Sequence, residues 1–264
     1  MLAASHGEES GGFHPPSLAD FFPPALFGDG TIFEFNRVTL VRFIAVAGLV
    51  LFFWLAARRT QLVPSRIQSL GEMAVDFVRR GIAEETLGKE LGRKYTPMIA
   101  VIFFGVLAFN ITGVLPFLNL AGSSVIGVPL VFAVVAYVAF VRAGIKAHGT
   151  VSFFKEQLFP PGVPWPVYIL LAPIELISTF ILRPVTLTVR LLANMIAGHL
   201  LLVLCFAATH YLFLDAGGAL AAAGVITLAG GLAFTLLEVF IAFLQAYVFA
   251  LLSAVYIQLS VEAH

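Results

Sequence analysis

The chain has 264 residues, of which 60% are hydrophobic and only 11% are charged, and its mean hydropathy is +0.99. These values exclude a soluble globular domain and indicate a protein of the lipid bilayer. Lys and Arg together number 15, and so do Asp and Glu, so there is no net charge that would indicate a nucleic-acid partner.

Residues 1–36 form an acidic N-terminal arm. It contains five acidic residues and no Lys or Arg, and its four prolines favour an irregular conformation. A cleaved signal peptide needs a basic first region, so no cleaved targeting segment is expected.

Three apolar stretches have the length of conventional transmembrane helices, which need about 20 residues to cross a ~30 Å hydrocarbon core. They are predicted at 37–59, 95–118 and 127–145. Between the first two, residues 64–90 carry apolar side chains at helical spacing with charged side chains between them. This pattern predicts an amphipathic helix on the membrane surface.

Two further apolar stretches, 166–214 and 216–260, are about twice as long as a bilayer requires. The second could be divided at Glu238, but no Gly, Pro or Asn follows Leu232 to form a turn. We therefore predict a hairpin of two long, strongly tilted helices that turns near Gly217. The predicted fold class is an all-α polytopic membrane protein.

Basic residues are concentrated in two connecting segments. Residues 58–94 and 142–155 hold 11 of the 15 Lys and Arg residues. The positive-inside rule assigns these segments to the cytoplasm, which puts the N-terminal arm outside and the C-terminus in the cytoplasm.

Ionisable side chains inside the long helices are functional candidates, because a charge in hydrocarbon costs at least a few kcal/mol. Arg190 is the strongest candidate, since it is permanently charged and shares a helix face with Thr186 and Asn194. Arg183 precedes a proline near the helix end, where either snorkelling or function explains it. The complete set is Glu175, Arg183, Arg190, His199 and Glu238.

Two pairs of polar residues share a level in an antiparallel hairpin centred near Gly217. His199 pairs with Glu238, and both side chains can exchange protons near neutral pH. Arg190 pairs with Gln245. Arg190 and His199 are about half a turn apart around their helix, so both pairs can form only if the helices cross or bend. At the opposite helix end, Glu175 either lines an inner aqueous route or caps the interface.

Three stretches carry a resemblance to a known family. Residues 183–199, RPVTLTVRLLANMIAGH, resemble the signature of subunit a of the F-type ATP synthase membrane sector. Residues 244–249, LQAYVF, are similar to that family's last helix, and residues 109–116, FNITGVLP, to its second span.

The resemblance implies a non-catalytic stator subunit of a rotary ATP synthase in a bacterial cell membrane, without a cofactor. Its implied partners are a ring of c subunits, a peripheral stalk of subunit b and the remaining subunits. Arg190 would face the ring carboxylates and separate two offset proton half-channels. The other matched positions are Asn194 and Gln245 at the ring contact, His199, Glu238 and Asn110 in the outer half-channel, and Glu175 in the inner one.

The chain departs from some bacterial members of the family. Those members exchange His199 for Glu and Glu238 for His, which retains one acid and one imidazole, and some carry an acid in place of Gly113. The resemblance therefore specifies the residues that line the outer half-channel less closely than it specifies the role of Arg190.

Two other classes compete with this interpretation. A proton-coupled secondary transporter is the alternative, but the sequence has no internal repeat and no midplane helix break of the kind that such proteins use. A membrane metalloenzyme would need clustered ligands such as a His-Glu-x-x-His pattern, and the sequence has none.

Overall fold

The computed structural model describes residues 25–27, 35–58, 65–115, 118, 122–123, 125–159, 167–214 and 220–262. Nearly all of these residues are helical. Five of the described helical segments are long and apolar enough to cross a membrane, which confirms the polytopic helical class. Most of the N-terminal arm, the turn near Gly217 and His264 lie outside the described residues.

The first helix, α1, spans Arg37–Ala57 and follows a short antiparallel pair of strands, β1 (Ala25–Phe27) and β2 (Phe35–Asn36). Asn36 caps α1, because its side-chain oxygen accepts a hydrogen bond from the Thr39 backbone N–H at 3.0 Å. The strand pair is a small departure from the irregular arm that its prolines favour.

The second helix, α2, spans Arg66–Val78 and leads through a π-helical segment, Arg79–Glu84, into α3, Glu85–Ile111. Gly88 interrupts the helical backbone with φ of 74°, a conformation that glycine adopts without strain. This break falls within the predicted surface helix at 64–90. The second predicted span ends at Ile111 rather than at residue 118, because hydrogen-bonded turns begin at Thr112 in place of the helix.

Helix α4 spans Gly127–His148 and α5 spans Thr150–Leu158, with Gly149 at φ of 82° between them. The sequence prediction ended the third span at residue 145 and did not include α5. Its Phe153 is fully buried against Gly144 of α4, where an added Cβ would collide with the ring.

The long hairpin consists of two helical arms. The first runs through α6 (Tyr168–Leu176), a π-helical segment (Ile177–Leu182) and α7 (Arg183–Leu214), a total of 47 residues. The second is α8, Leu220–Glu262, whose 43 residues continue through Glu238 without a break. At 1.5 Å per residue the first arm is about 70 Å along its axis.

One buried apolar cluster joins α3, α4, α7 and α8. Small side chains on α8 let the other helices approach closely, as is common between membrane helices. The α8 members include Ala246, Phe249, Ala250 and Ala254. This packing fixes the rotation of α8 relative to α3, α4 and α7.

Candidate functional site

Arg190 lies on an exposed face of α7 among apolar neighbours such as Val189, which is 51% exposed. No hydrogen bond or ion pair joins it to another residue in the described part of the chain. Thr186, one turn earlier, donates to the Leu182 carbonyl at 2.7 Å and is therefore satisfied within its own helix. Arg190 thus presents a permanent positive charge away from the body of the protein.

Asn194 and Gln245 connect the two arms of the hairpin. Asn194 Nδ2 donates a hydrogen bond to Gln245 Oε1 at 3.0 Å, and Gln245 is buried. The sequence predicted Gln245 at about the level of Arg190. Its hydrogen bond goes to Asn194, which lies one helical turn from Arg190 on the same face of α7.

Glu238 packs against the backbone of α7 at Gly198. A Cβ built on Gly198 would meet Glu238 Oε1, so only glycine leaves room for the carboxylate in this position. The other oxygen, Oε2, is buried and has no hydrogen-bond partner among the described residues. A buried carboxylate oxygen of this kind needs water or a proton.

His199 follows Gly198 and is buried, with 6% of its surface exposed. It therefore lies at the level of Glu238, in the register expected for the hairpin. Farther along the same hairpin, Thr209 Oγ1 donates to Thr227 Oγ1 at 2.9 Å, which extends this register toward the turn.

A groove of about 310 Å³ lies between α7 and α8. Its polar lining consists of Glu238 at one level and the Asn194–Gln245 pair at another, with apolar side chains such as Leu201, Phe234 and Leu237 between and around them. The groove could hold a short chain of water between the carboxylate and the amide pair. Arg190 lies one turn beyond Asn194.

Glu175 and Arg183 lie near the other end of the first arm. Thr179 is fully buried in the π-helical segment, and its hydroxyl lies 3.5 Å from Glu175 Oε2. The Arg183 guanidinium lies between the rings of Phe140 and Tyr256, at 5.5 and 5.2 Å from their centroids. Its cation–π contacts hold it inside the helix bundle, so it does not snorkel.

Asn110 is fully buried at the end of α3, and it is not one of the residues that line the groove. Ser123 donates a hydrogen bond from Oγ to Asn110 Oδ1 at 2.6 Å. The structure therefore brings Asn110 to the segment between α3 and α4, while Glu238, Asn194 and Gln245 share the groove.

Comparison with known proteins decides the family. The family model described as ATP synthase A chain matches residues 39–258. ATP synthase subunit a of Rhodococcus erythropolis is 51% identical over 251 residues, which cover 95% of this chain and 91% of that protein. ATP synthase subunit a of Pseudarthrobacter chlorophenolicus is 39% identical over 264 residues, 100% of this chain and 99% of that protein.

The chain belongs to the ATP synthase subunit a family. The family predicted from the sequence is therefore confirmed. The matched region includes Arg190, the groove between α7 and α8, Glu175 and Asn110.

The sequence analysis missed one charged residue, Arg42. Arg42 lies within the first predicted span, yet it was counted as part of an apolar stretch. Its Nε donates a hydrogen bond to the Gly122 carbonyl at 2.9 Å. A charge inside an apolar run was the signal that should have identified it.

Among the described residues, no group of three or more His, Cys, Asp or Glu side chains could hold a metal ion. The absence of a metal site and of a cofactor remains a prediction for the whole chain.

Proposed function

We propose that this chain is the stator subunit that conducts protons through the membrane sector of a rotary ATP synthase. Its family makes it a non-catalytic membrane subunit of the ATP synthase complex in a bacterial membrane, with the rest of that complex as partner. The proposal adds the proton route, the ring of c subunits and the stalk of subunit b.

The observation that carries the proposal is the exposed, unpartnered guanidinium of Arg190 on an apolar helix. A permanent charge in a spanning segment is costly unless a counter-charge or water meets it. The described part of this chain provides no acid within reach, so the counter-charge belongs to another subunit. A carboxylate on each subunit of a rotating ring meets this requirement and can leave Arg190 again as the ring turns.

The groove between α7 and α8 supports an outer half-channel. Glu238 accepts a proton from the water on the outer side and passes it along the groove toward Asn194 and Gln245. These two amides bond each other, and they hydrogen-bond the ring carboxylate when it arrives. His199, at the level of Glu238, serves as a second exchangeable group, and Asn110 contributes from the side of α3.

The π-helical segment at Ile177–Leu182 supports an inner half-channel. π-Helical turns are rare and often occur at functional sites. Here the segment brings the buried Thr179 hydroxyl to Glu175, and Glu175 accepts the proton that the ring carboxyl releases. The proton thus enters through one route, travels around the ring as a neutral carboxyl group and leaves through the other.

Arg190 separates the two routes. After the ring carboxyl group has lost its proton to the inner route, the ionised carboxylate is attracted to Arg190. It then moves past Arg190 to the groove as the ring turns. Protonation from the groove then neutralises the carboxylate and weakens the attraction, so the ring can turn onward. A fixed cation between the routes also repels protons that would cross directly.

The orientation can be tested by labelling. Single cysteines at Ile126, which is 53% exposed at the start of α4, and at Lys146, which is also exposed, are made in a Cys205→Ser background. They are expected to react from the outside and from the cytoplasm respectively, because the basic segments remain inside. The measurement is modification by a membrane-impermeant maleimide in right-side-out and inverted vesicles. Reaction of the Ile126 cysteine from the cytoplasmic side alone would reverse the topology.

The ring contact can be tested by cross-linking. Ala193 lies on the exposed face beside Arg190 and Asn194. In a Cys205→Ser background, Ala193→Cys is expected to form a disulfide with a cysteine placed beside the ring carboxylate. Val131→Cys on α4, which is 61% exposed, is the control and should not. Equal cross-linking of both, or none from Ala193→Cys in an intact complex, would contradict the proposed ring face.

A further inference from the structure

Arg42 lies inside α1, where an arginine would ordinarily extend its side chain to the membrane surface. It turns inward instead. Its Nε donates to the Gly122 carbonyl at 2.9 Å, and its Nη2 is buried. Arg37, one turn and a half earlier, contacts the same connecting segment at Leu118 but stays exposed.

The segment that Arg42 contacts is tightly packed on the end of α3. The Gly122 N–H lies 3.1 Å from both the Phe109 carbonyl and the Thr112 hydroxyl oxygen. A Cβ on Gly122 would be 2.6 Å from the Phe109 ring and 3.4 Å from Arg42 Cγ. The arginine therefore closes one side of a site that only glycine can occupy.

The next residue connects this segment to Asn110. Ser123 and Asn110 are both fully buried, and the Ser123 hydroxyl donates to Asn110 Oδ1 at 2.6 Å. Because Gly122 and Ser123 are adjacent, the bond from Arg42 to the Gly122 carbonyl also determines where the Ser123 hydroxyl lies.

Two buried N–H donors remain around this segment. Arg42 Nη2 and Asn110 Nδ2 have no hydrogen-bond acceptor in the described part of the chain. A buried donor without an acceptor is costly, and ordered water is the usual solution in a polar site. Arg42 is hydrogen-bonded to Gly122 and Asn110 to the adjacent Ser123, so ordered water in this segment could accept hydrogen bonds from both donors.

We infer that Arg42 is a positioning residue of the outer proton route. It holds Gly122 and Ser123 against Asn110 and, together with Asn110, orients water at this side of the route. Arginine cannot release its proton, so Arg42 carries none itself. The inference rests on the proposed outer half-channel, to which it adds α1 and the segment between α3 and α4.

The first measurement is hydrogen–deuterium exchange of the peptide that contains Gly122, in the purified intact complex. Arg42→Gln removes the charge and the Nε donor. It is expected to raise exchange at this peptide roughly tenfold, because a hydrogen bond from a charged donor shifts an opening equilibrium by at least that factor. Arg37→Gln, the matched control on the exposed turn, should leave exchange unchanged.

The second measurement is ATP-driven proton pumping by the same complexes, with assembly checked separately. Arg42→Gln should lower the pumping rate several-fold, Arg42→Lys should recover part of it by restoring a charged donor, and Arg37→Gln should pump normally. A general packing defect would not be rescued by lysine, whose shape differs from that of arginine.

The two measurements separate the inference from the function on which it rests. Wild-type exchange at the Gly122 peptide in Arg42→Gln would overturn the positioning role. Raised exchange with wild-type pumping would overturn its part in the proton route. Failure of the outer half-channel itself would instead appear as normal pumping by Glu238→Gln, whatever the Arg42 variants do.

Discussion

Replacement of Arg190 by alanine is expected to abolish both ATP synthesis and ATP-driven proton pumping in a fully assembled complex. Arg190 is exposed on an apolar face and has no partner in the described part of the chain. Its attraction for a carboxylate at 4 Å is about 4 kcal/mol at an effective dielectric constant of 20. Without this attraction, the ring carboxylate has no reason to ionise between the two routes.

Alanine also removes the barrier between the routes, so protons are expected to leak through the assembled membrane sector.

Arg190→Lys tests whether the planar, permanently charged guanidinium is needed or whether any positive charge is sufficient. Lysine makes a single-point contact and can lose its proton when desolvated, so it should also fail in coupling. Loss of coupling is measured as ATP-driven proton pumping in inverted membrane vesicles. The proton leak is measured as passive proton uptake after removal of the catalytic sector.

Thr186→Ala is the matched control for Arg190. Thr186 lies one turn earlier on the same exposed face, and its hydroxyl is bonded to its own helix at Leu182. This variant should assemble and pump at nearly the wild-type rate. Wild-type coupled pumping by an assembled Arg190→Ala complex would refute the proposed mechanism. An equal loss of pumping in Thr186→Ala would mean that any substitution on this face of α7 disrupts the ring contact, whatever its charge.

Much of the architecture could be predicted from the apolar runs, because a bilayer demands a minimum helix length. The uninterrupted course of α8 through Glu238 followed from the absence of turn residues after Leu232. The shared level of His199 and Glu238 could be predicted because the two residues are nearly equal numbers of residues away from the turn near Gly217. In each case the deciding information is local in the sequence.

Contacts between distant residues could not be predicted from the sequence. The hydrogen bond between Gln245 and Asn194 depends on the rotation of α8, and that rotation is set by packing against α3 and α4, not by the position of the turn. The charge inside an apolar run could have identified Arg42 as a candidate, but its contact could not be predicted. Its partner, the Gly122 carbonyl, is 80 residues away, and a backbone oxygen leaves no mark on a sequence pattern.

Glu238→Gln is the second change with a large expected effect. Glu238 is the one carboxylate among the described residues that line the groove. Glutamine has nearly the same size but cannot exchange a proton, so proton pumping should fall by about 100-fold while assembly is retained. Pumping by the variant is measured at several pH values, and wild-type rates throughout would remove Glu238 from the route.

The reciprocal exchange tests whether the chemistry or the position matters. His199→Glu combined with Glu238→His keeps one acid and one imidazole at the same level of the hairpin. It should restore part of the pumping that Glu238→Gln loses. No recovery in an assembled double variant would mean that the carboxylate must stand on α8.

Gly198→Ala moves the same carboxylate without removing it. The added Cβ would meet Glu238 Oε1, so the side chain must leave its place against α7, and pumping is expected to fall several-fold. Gly230→Ala is the matched control on α8, since a Cβ there meets nothing within 4 Å. Alanine favours a helix over glycine by about 1 kcal/mol at both positions, so helix propensity cannot explain a loss confined to Gly198→Ala. Equal pumping by the two variants would mean that proton transfer does not require the carboxylate to lie against Gly198.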